Sequence, residues 1–252
     1  MPTSSWPARL SVIRHGESAG NVARDHAEAN SLERIDIADR DMDVPLSELG
    51  RQQARALGVW WSHQPGADQP HALYVSPYLR AQQTAQIMAE EGRLTVSTVL
   101  DERLREREFG ILDGLTRRGI TTIFPEESQR RTRLGKFYHR PPGGESWSDV
   151  ALRVRSVLDD MRRNCDGEQV VVIAHQVVVL LFRYVIESMT EEQVLTIDGA
   201  AEVANCSVTT YAFDEGLGPR GGMRLLTYNE TAPLLEEHAP VTTQPDVPAG
   251  PH

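Results

Sequence analysis

Two apolar runs in this chain each stop at a histidine, and no other feature constrains the fold as much. Leu10-Ser11-Val12-Ile13 leads into Arg14-His15-Gly16, and Gln169-Val170-Val171-Val172-Ile173-Ala174 leads into His175-Gln176. The second run reads as a fully buried strand, and such unbroken runs belong to sheets covered on both faces. If the two strands are parallel neighbours, both imidazoles project from one sheet edge. That is the carboxyl edge, where open α/β sheets place their ligands. Arg14 offers a planar fork of donors suited to phosphate oxygens. A neutral imidazole can attack phosphorus. Gly16 is expected to let a bound group approach the backbone closely.

Two further pieces add charge. In Leu73-Tyr74-Val75-Ser76-Pro77-Tyr78-Leu79-Arg80 a short strand meets Ser76, read as an N-cap, with Pro77 at the first helical position. Arg80 then sits in the first turn of a helix, whose positive end favours an anion. In Leu104-Arg105-Glu106-Arg107-Glu108-Phe109-Gly110 a loop after a strand near Val96–Leu100 supplies a carboxyl group. Taken singly, each piece has an ordinary reading. His175 could be a hydrogen-bonded core histidine, Arg80 a solvated helix residue, Glu106 part of a solvated charged run, and Asn21 only a helix cap. Glu108 competes with Glu106 for the acidic role.

In this order, Arg14-His15-Gly16-Glu17 with Asn21, Ser76-Pro77-x-x-Arg80-Ala81-x-x-Thr84-Ala85, Leu104-x-Glu106-Arg107-x-Phe109-Gly110 and the late His175 resemble the histidine phosphatase, or phosphoglycerate mutase-like, superfamily. The resemblance runs from about Leu10 to about Tyr228. Gly135-Lys136-Phe137-Tyr138 and Gly143-Gly144-Glu145-Ser146 look like a subgroup of plant and fungal members. They are also similar to the bisphosphatase half of bifunctional fructose-2,6-bisphosphate enzymes, which likewise place Gln after the second His.

The resemblance implies an α/β fold, a three-layer α/β/α sandwich with a central, mostly parallel sheet and a lid insertion at about 115–143. It implies that His15 attacks a phosphate monoester and carries a phosphohistidine. Arg14, Arg80 and His175 would surround the phosphoryl oxygens, because phosphoryl transfer mostly needs positioning and spread charge stabilisation. Asn21 would add a neutral donor. Glu106 would protonate the leaving oxygen and then take a proton from water. Gly16 and Gln176 would line the substrate site. In the family a backbone carbonyl holds the second imidazole proton. The scheme needs no metal and no cofactor. A zinc site from His15, His175 and Glu106 is the alternative, but the local Cys/His spacing of zinc motifs is absent.

The rest reads as alternating strands and helices in one large domain, which 252 residues can supply with a core. Residues 1–9 form an extension, 10–238 the catalytic domain, and 239–252, polar and Pro-rich, a disordered tail. Ser47 and Ser146 are expected N-caps; Trp147, Val150, Val154, Val157, Leu158 and Met161 make an apolar stripe. The net charge of −10 argues against broad nucleic-acid binding. No apolar run approaches the ~20 residues that span a bilayer. Met1–Arg9 lack a basic start and an apolar signal core, and Cys165 and Cys206 are the only cysteines, so a reduced, cytoplasmic protein is expected. Trp60 and Trp61 leave a homodimer open.

Two segments are expected to set the substrate. Val22–Met42 lacks the Phe-x-Gly-Trp of phosphoglycerate mutases. The lid holds Arg117, Arg118, Arg130, Arg131, Arg133, Lys136 and Arg140 against Glu126 and Glu127. Arg133, Lys136 and Arg140 are the candidates for binding substrate charge beyond the reacting phosphate. The expected activity is metal-independent hydrolysis of a small anionic phosphorylated metabolite. A cofactor-dependent mutase is the alternative, and a binding scaffold without turnover the third reading.

Overall fold

The computed structural model describes residues 6–244 and 246. Six strands form one sheet: β1 (Arg9–Arg14), β2 (Ala72–Val75), β3 (Ser97–Leu100), β4 (Gln169–Ala174), β5 (Val208–Asp214) and β6 (Gly222–Glu230), in the order β3-β2-β4-β1-β5-β6. The first four in that order are parallel, β5 runs antiparallel to β1, and β6 antiparallel to β5. The central pair is in register from Arg9↔Gln169 to Arg14↔Ala174. His15 and His175 therefore leave the sheet side by side.

The buried strands divide their side chains between two cores, as the two-residue period of a strand requires. On one face Leu10, Val12, Val170, Val172 and Ala174 pack under helices α6 (Trp147–Asn164) and α7 (Gln176–Ile186). On the other, Ile13, Leu73, Val75, Val171 and Ile173 meet α2 (Glu48–Ser62) and α3 (Leu79–Gly92). The result is the expected α/β/α sandwich. Each fully buried Val or Leu contributes roughly 1.5–3 kcal/mol of burial, so both faces hold the sheet, and its carboxyl edge is left for chemistry.

Helix starts follow the sequence where the cap is local. Ser47 Oγ accepts the Gly50 N–H at 3.0 Å. Ser146 and Asp149 form a reciprocal capping box at the head of α6. The stripe read from Trp147 to Met161 is core throughout, and Trp61 is also buried. Helix α1 (Ala19–Ala29) follows β1, and α4 (Arg117–Ile123) and α5 (Pro125–Leu134) build the expected lid around a small cluster of Leu112, Leu115 and Ile120. The lid is tied to the loop after α1: the Thr116 hydroxyl donates to the Leu32 carbonyl at 2.5 Å, and the Ile35 N–H donates to the Gly114 carbonyl at 2.9 Å. Helices α8 (Glu191–Ala200) and α9 (Ala232–Glu236) complete the chain. Among the described residues, no helix is long and apolar enough to cross a membrane, and both cysteines are free and buried.

The ends are described only in part. Residues 1–5 of the extension lie outside the described residues, whereas Trp6 packs against the core beneath Arg162 and Arg9 already opens β1. Of the tail expected to be disordered, residues 239–244 and 246 are described and bonded to the domain; 245 and 247–252 lie outside the described residues. Composition alone suggested disorder because the partners of this segment are side chains far away in sequence.

Candidate active site

His15 has no exposed surface. Its Nδ1 lies 2.6 Å from the Gly16 carbonyl oxygen. A carbonyl only accepts, so Nδ1 carries the proton and Nε2 keeps its lone pair. Arg80 Nε donates to that Nε2 at 3.2 Å. Burial holds His15 below the ordinary histidine value of 6.5; the nearby Asp246 opposes this, and Arg80 and Arg14 reinforce it. The neutral, nucleophilic form is favoured.

Four cationic or dipolar donors converge beside Nε2. Arg14 is fully buried and is aimed by a bond from Nη1 to the Val203 carbonyl at 2.5 Å. Arg80 is clamped by Asp41, through Nη1 to Oδ1 at 2.9 Å and to the backbone carbonyl at 2.6 Å. The Gln176 N–H opens α7 and points into the same space. Asn21 serves two ends at once. Its Oδ1 accepts from the Ser18 N–H at 2.9 Å in the capping box of α1, and its Nδ2 faces the site. Asn21 therefore caps α1 through Oδ1 while its amide nitrogen points the other way.

His175 stands with its ring 5.1 Å from that of His15, at 63°. Its Nε2 is 2.8 Å from Ser76 Oγ. That hydroxyl also accepts the Tyr78 N–H at 3.3 Å and keeps both a lone pair and a proton for the imidazole. Burial, Arg80 and His15 hold the ring well below 6.5, which favours the neutral imidazole. This bond corrects the expected cap of α3. The helix begins at Leu79 with Tyr78 as the N-cap, because Ser76 is bonded to His175. Arg80 remains in the first turn, as expected.

Glu106 is buried while Glu108 is exposed and accepts from the Tyr78 hydroxyl at 3.0 Å. Glu106 Oε1 accepts the Arg107 N–H at 2.7 Å, and Oε2 lies 3.9 Å from His175 Nδ1. Burial first, then the Asp246 carboxylate facing it, raise its pKa well above the carboxylate norm. A neutral acid beside an anion pocket can donate a proton.

The remaining predicted residues lie elsewhere. Gly16 does not open its backbone to a ligand: its N–H donates to Thr84 Oγ1 at 3.1 Å. A Cβ there would stand 2.6 Å from the Gly50 carbonyl oxygen, so the glycine lets two backbones cross. Arg133 is exposed, and Arg140 is exposed and paired with Asp149 at 3.1 Å. Lys136 pairs with Asp198 over the Trp147 ring. The lid helices spend this charge on solvent and local partners, and the structure brings none of the three to His15. The basic residue at the mouth is instead Arg24, buried on α1 one turn beyond Asn21. Its signal was the three-residue spacing from Asn21, which puts both on one helix face. Asp41 lay in the flagged Val22–Met42 segment without a motif to mark it.

Asp246 was not foreseen. Its Oδ1 accepts from Arg14 Nη2 at 2.8 Å and Asn21 Nδ2 at 3.2 Å, and its Oδ2 accepts the Gln176 N–H at 3.1 Å. Oδ1 lies 3.1 Å from His15 Nε2. His15, His175 and Asp246 form a group of potential metal ligands within 4.8 Å of one another. That set holds Asp246 in place of the Glu106 of the zinc alternative. Arg14 and Arg80 bring two positive charges to the same space, which suits an anion better than a cation.

The family model of the histidine phosphatase superfamily (branch 1) matches residues 10–220. The chain belongs to this superfamily. The matched span of this histidine phosphatase contains Arg14, His15, Arg80, Glu106 and His175, and ends before Asp246. A 2,3-bisphosphoglycerate-dependent phosphoglycerate mutase of Rhizobium meliloti (strain 1021) is 30% identical over 220 residues, 84% of this chain and 97% of that protein. Phosphoglycerate mutase-like protein AT74H of Arabidopsis thaliana is 35% identical over 170 residues, 64% of this chain; the match spans only 55% of that longer protein. Among solved structures, Bacillus stearothermophilus YhfR superposes with a TM-score of 0.70 at 26% identity, covering 90% of this chain and 98% of that one. The mycobacterial glucosyl-3-phosphoglycerate phosphatase, solved with inorganic phosphate, gives 0.65 at 26% identity, covering 90% and 99%. Membership in the superfamily makes an enzyme of the phosphatase or mutase kind the coarse assignment.

Proposed function

We propose that this protein hydrolyses a small anionic phosphate monoester through a phosphohistidine on His15, without a metal. The observation that carries the reading is the alignment at His15. A lone pair on Nε2, fixed by the Nδ1–H bond to Gly16, faces a pocket of Arg14, Arg80, Asn21 and the Gln176 N–H that already holds an anionic group 3.1 Å away.

In the first step Nε2 forms a bond to phosphorus and the ester P–O bond breaks. The Glu106 proton passes to the leaving oxygen. In the second step water attacks the phosphohistidine, Glu106 takes a water proton, and inorganic phosphate leaves with His15 regenerated. Arg14, Arg80, neutral His175 and Asn21 stabilise charge on the equatorial oxygens throughout.

Hydrolysis is favoured over mutase chemistry by access. A cleft that admits a polypeptide segment to His15 also admits water, and a mutase must keep water from its phosphohistidine. The 30% identical mutases support the second reading, 2,3-bisphosphoglycerate-dependent transfer. The deciding experiment is turnover of p-nitrophenyl phosphate in EDTA by the wild type and His15→Ala, with acid-labile phosphate on the protein measured after quenching. EDTA-resistant turnover that disappears in the variant supports the proposal. Transfer to phosphoglycerate without net phosphate release refutes it in favour of the mutase.

A further inference from the structure

Among the described residues after α9, Pro240, Thr242, Gln244 and Asp246, every second residue, are bonded to the domain. The Pro240 carbonyl accepts from Gln53 Nε2 at 2.9 Å, and Thr242 Oγ1 accepts from the same nitrogen at 2.8 Å. Thr242 also donates from Oγ1 to Asn205 Oδ1 at 3.0 Å and accepts the Asn205 N–H at its carbonyl at 2.9 Å. The Gln244 carbonyl accepts from Arg14 Nη2 and, at 3.4 Å, from Asn21 Nδ2. The Asp246 carbonyl accepts from Arg24 Nη1 at 2.6 Å while its carboxylate fills the pocket at His15. A two-residue period is how an extended peptide is read by a groove. The donors are buried residues held by other parts of the fold: Gln53 and Asn205 have no exposed surface, and Arg24 only 2%.

We infer that the cleft is a binding site for the chain's own C-terminal segment, with the Asp246 carboxylate as a stand-in for the phosphoryl group, so that segment and substrate exclude each other. The inference rests on the reading of this pocket as the phosphoryl subsite. The carboxylate uses the same Arg14, Asn21 and Gln176 donors that a phosphoryl group would need, and Oδ1 lies 3.1 Å from the His15 Nε2 that would attack. It offers two oxygens where a phosphoryl group offers three, and one charge where a phosphate dianion has two. It therefore competes through tethering, which sets an effective concentration in the millimolar range for short flexible links, and gives way to a better-charged ligand.

A docked segment lowers the competent fraction and raises apparent KM by the inverse of that fraction, leaving kcat unchanged once substrate is saturating. The experiment uses the full chain, as wild type, Asp246→Asn and Asp246→Ala. Amide hydrogen exchange of residues 239–244 is followed with and without inorganic phosphate, alongside p-nitrophenyl phosphate kinetics. The expected result is protection of the segment in the wild type, loss of protection in both variants, and release of the wild-type segment by phosphate. KM then falls roughly tenfold, as for a segment docked about nine-tenths of the time, at unchanged kcat. Free exchange of the segment in the wild type overturns the inference, as does continued protection under saturating phosphate. A fall in kcat at constant KM also overturns it, since Asp246 would then take part in the chemistry. If the segment is protected and phosphate-displaceable but no variant turns over any phosphate ester, the hydrolase reading fails and the occupancy stands.

Discussion

Glu106→Gln separates the chemistry of the site from its stability. The amide keeps the side-chain volume and an oxygen for the Arg107 N–H, which Glu106 now binds at 2.7 Å. It removes only the transferable proton. Positioned acid catalysis is worth about 10²–10⁴ in rate, or roughly 2.7–5.5 kcal/mol at about 1.36 kcal/mol per tenfold. The loss should appear in full for an alkyl phosphate, whose leaving oxygen needs the proton. It should be much smaller in the release of p-nitrophenolate, which departs as a stable anion. Stability should move the other way. The Glu106 pKa is raised above 4.5 in the fold, chiefly by burial. Above pH 4.5 the unfolded chain ionises this group while the folded chain retains its proton, so the folded state loses stability until the folded pKa is passed. A neutral amide escapes that penalty. The variant should melt higher than the wild type, with a gap that opens as pH rises from 4.5. The assay is kcat/KM on the paired substrates plus thermal melts at several pH values. Equal losses on the two substrates, or a melting point below that of the wild type across the series, would refute the assignment of Glu106 as a buried neutral acid.

Three further predictions follow from geometry. Because burial holds His15 below 6.5, the acid limb of kcat/KM should fall below pH 6.5 as the imidazole gains a proton; a limb above that value contradicts the neutral nucleophile. Gly16→Ala forces a Cβ to 2.6 Å from the Gly50 oxygen, and overpacking of this kind costs about 1–3 kcal/mol. The melting point should drop by at least about 2 °C, and an unchanged melt would show that the two backbones separate freely. Arg133→Ala and Arg140→Ala should leave KM within about twofold, since these side chains are exposed or paired away from the site; a large rise in KM would return the lid arginines to the substrate.

The legible parts were those fixed locally. Val170–Ala174 and Leu10–Ile13 read as buried strands, and Ser47 and Ser146 marked helix starts through bonds three residues away. Arg14, His15, Arg80, Glu106 and His175 were legible through a resemblance that binds five distant positions into one pattern. What stayed hidden depends on which way a side chain turns in three dimensions. Ser76 looked like a cap because its partner, His175, is 99 residues on. Lid charge was countable, but the sequence does not say that Arg140 faces Asp149 while Arg24 faces His15's pocket. The C-terminal segment has the polarity expected of a disordered tail, and the partners of its described residues, among them Gln53, Asn205, Arg14 and Arg24, are distant in sequence.

The register of the central strands has a consequence for how the protein is made. Strand β1 pairs with β4 and β5, and Arg9 meets Gln169, 160 positions later. At about 5–20 residues per second of synthesis, roughly 8–32 s pass before β4 has been made. Through that interval Leu10, Val12 and Ile13 lie in a strand with both edges open, the condition that invites pairing with another chain. His15 is made well before β4, and it has no pocket until β4 docks. The yield of active protein should therefore depend on what shields the first strand while the ribosome is still working.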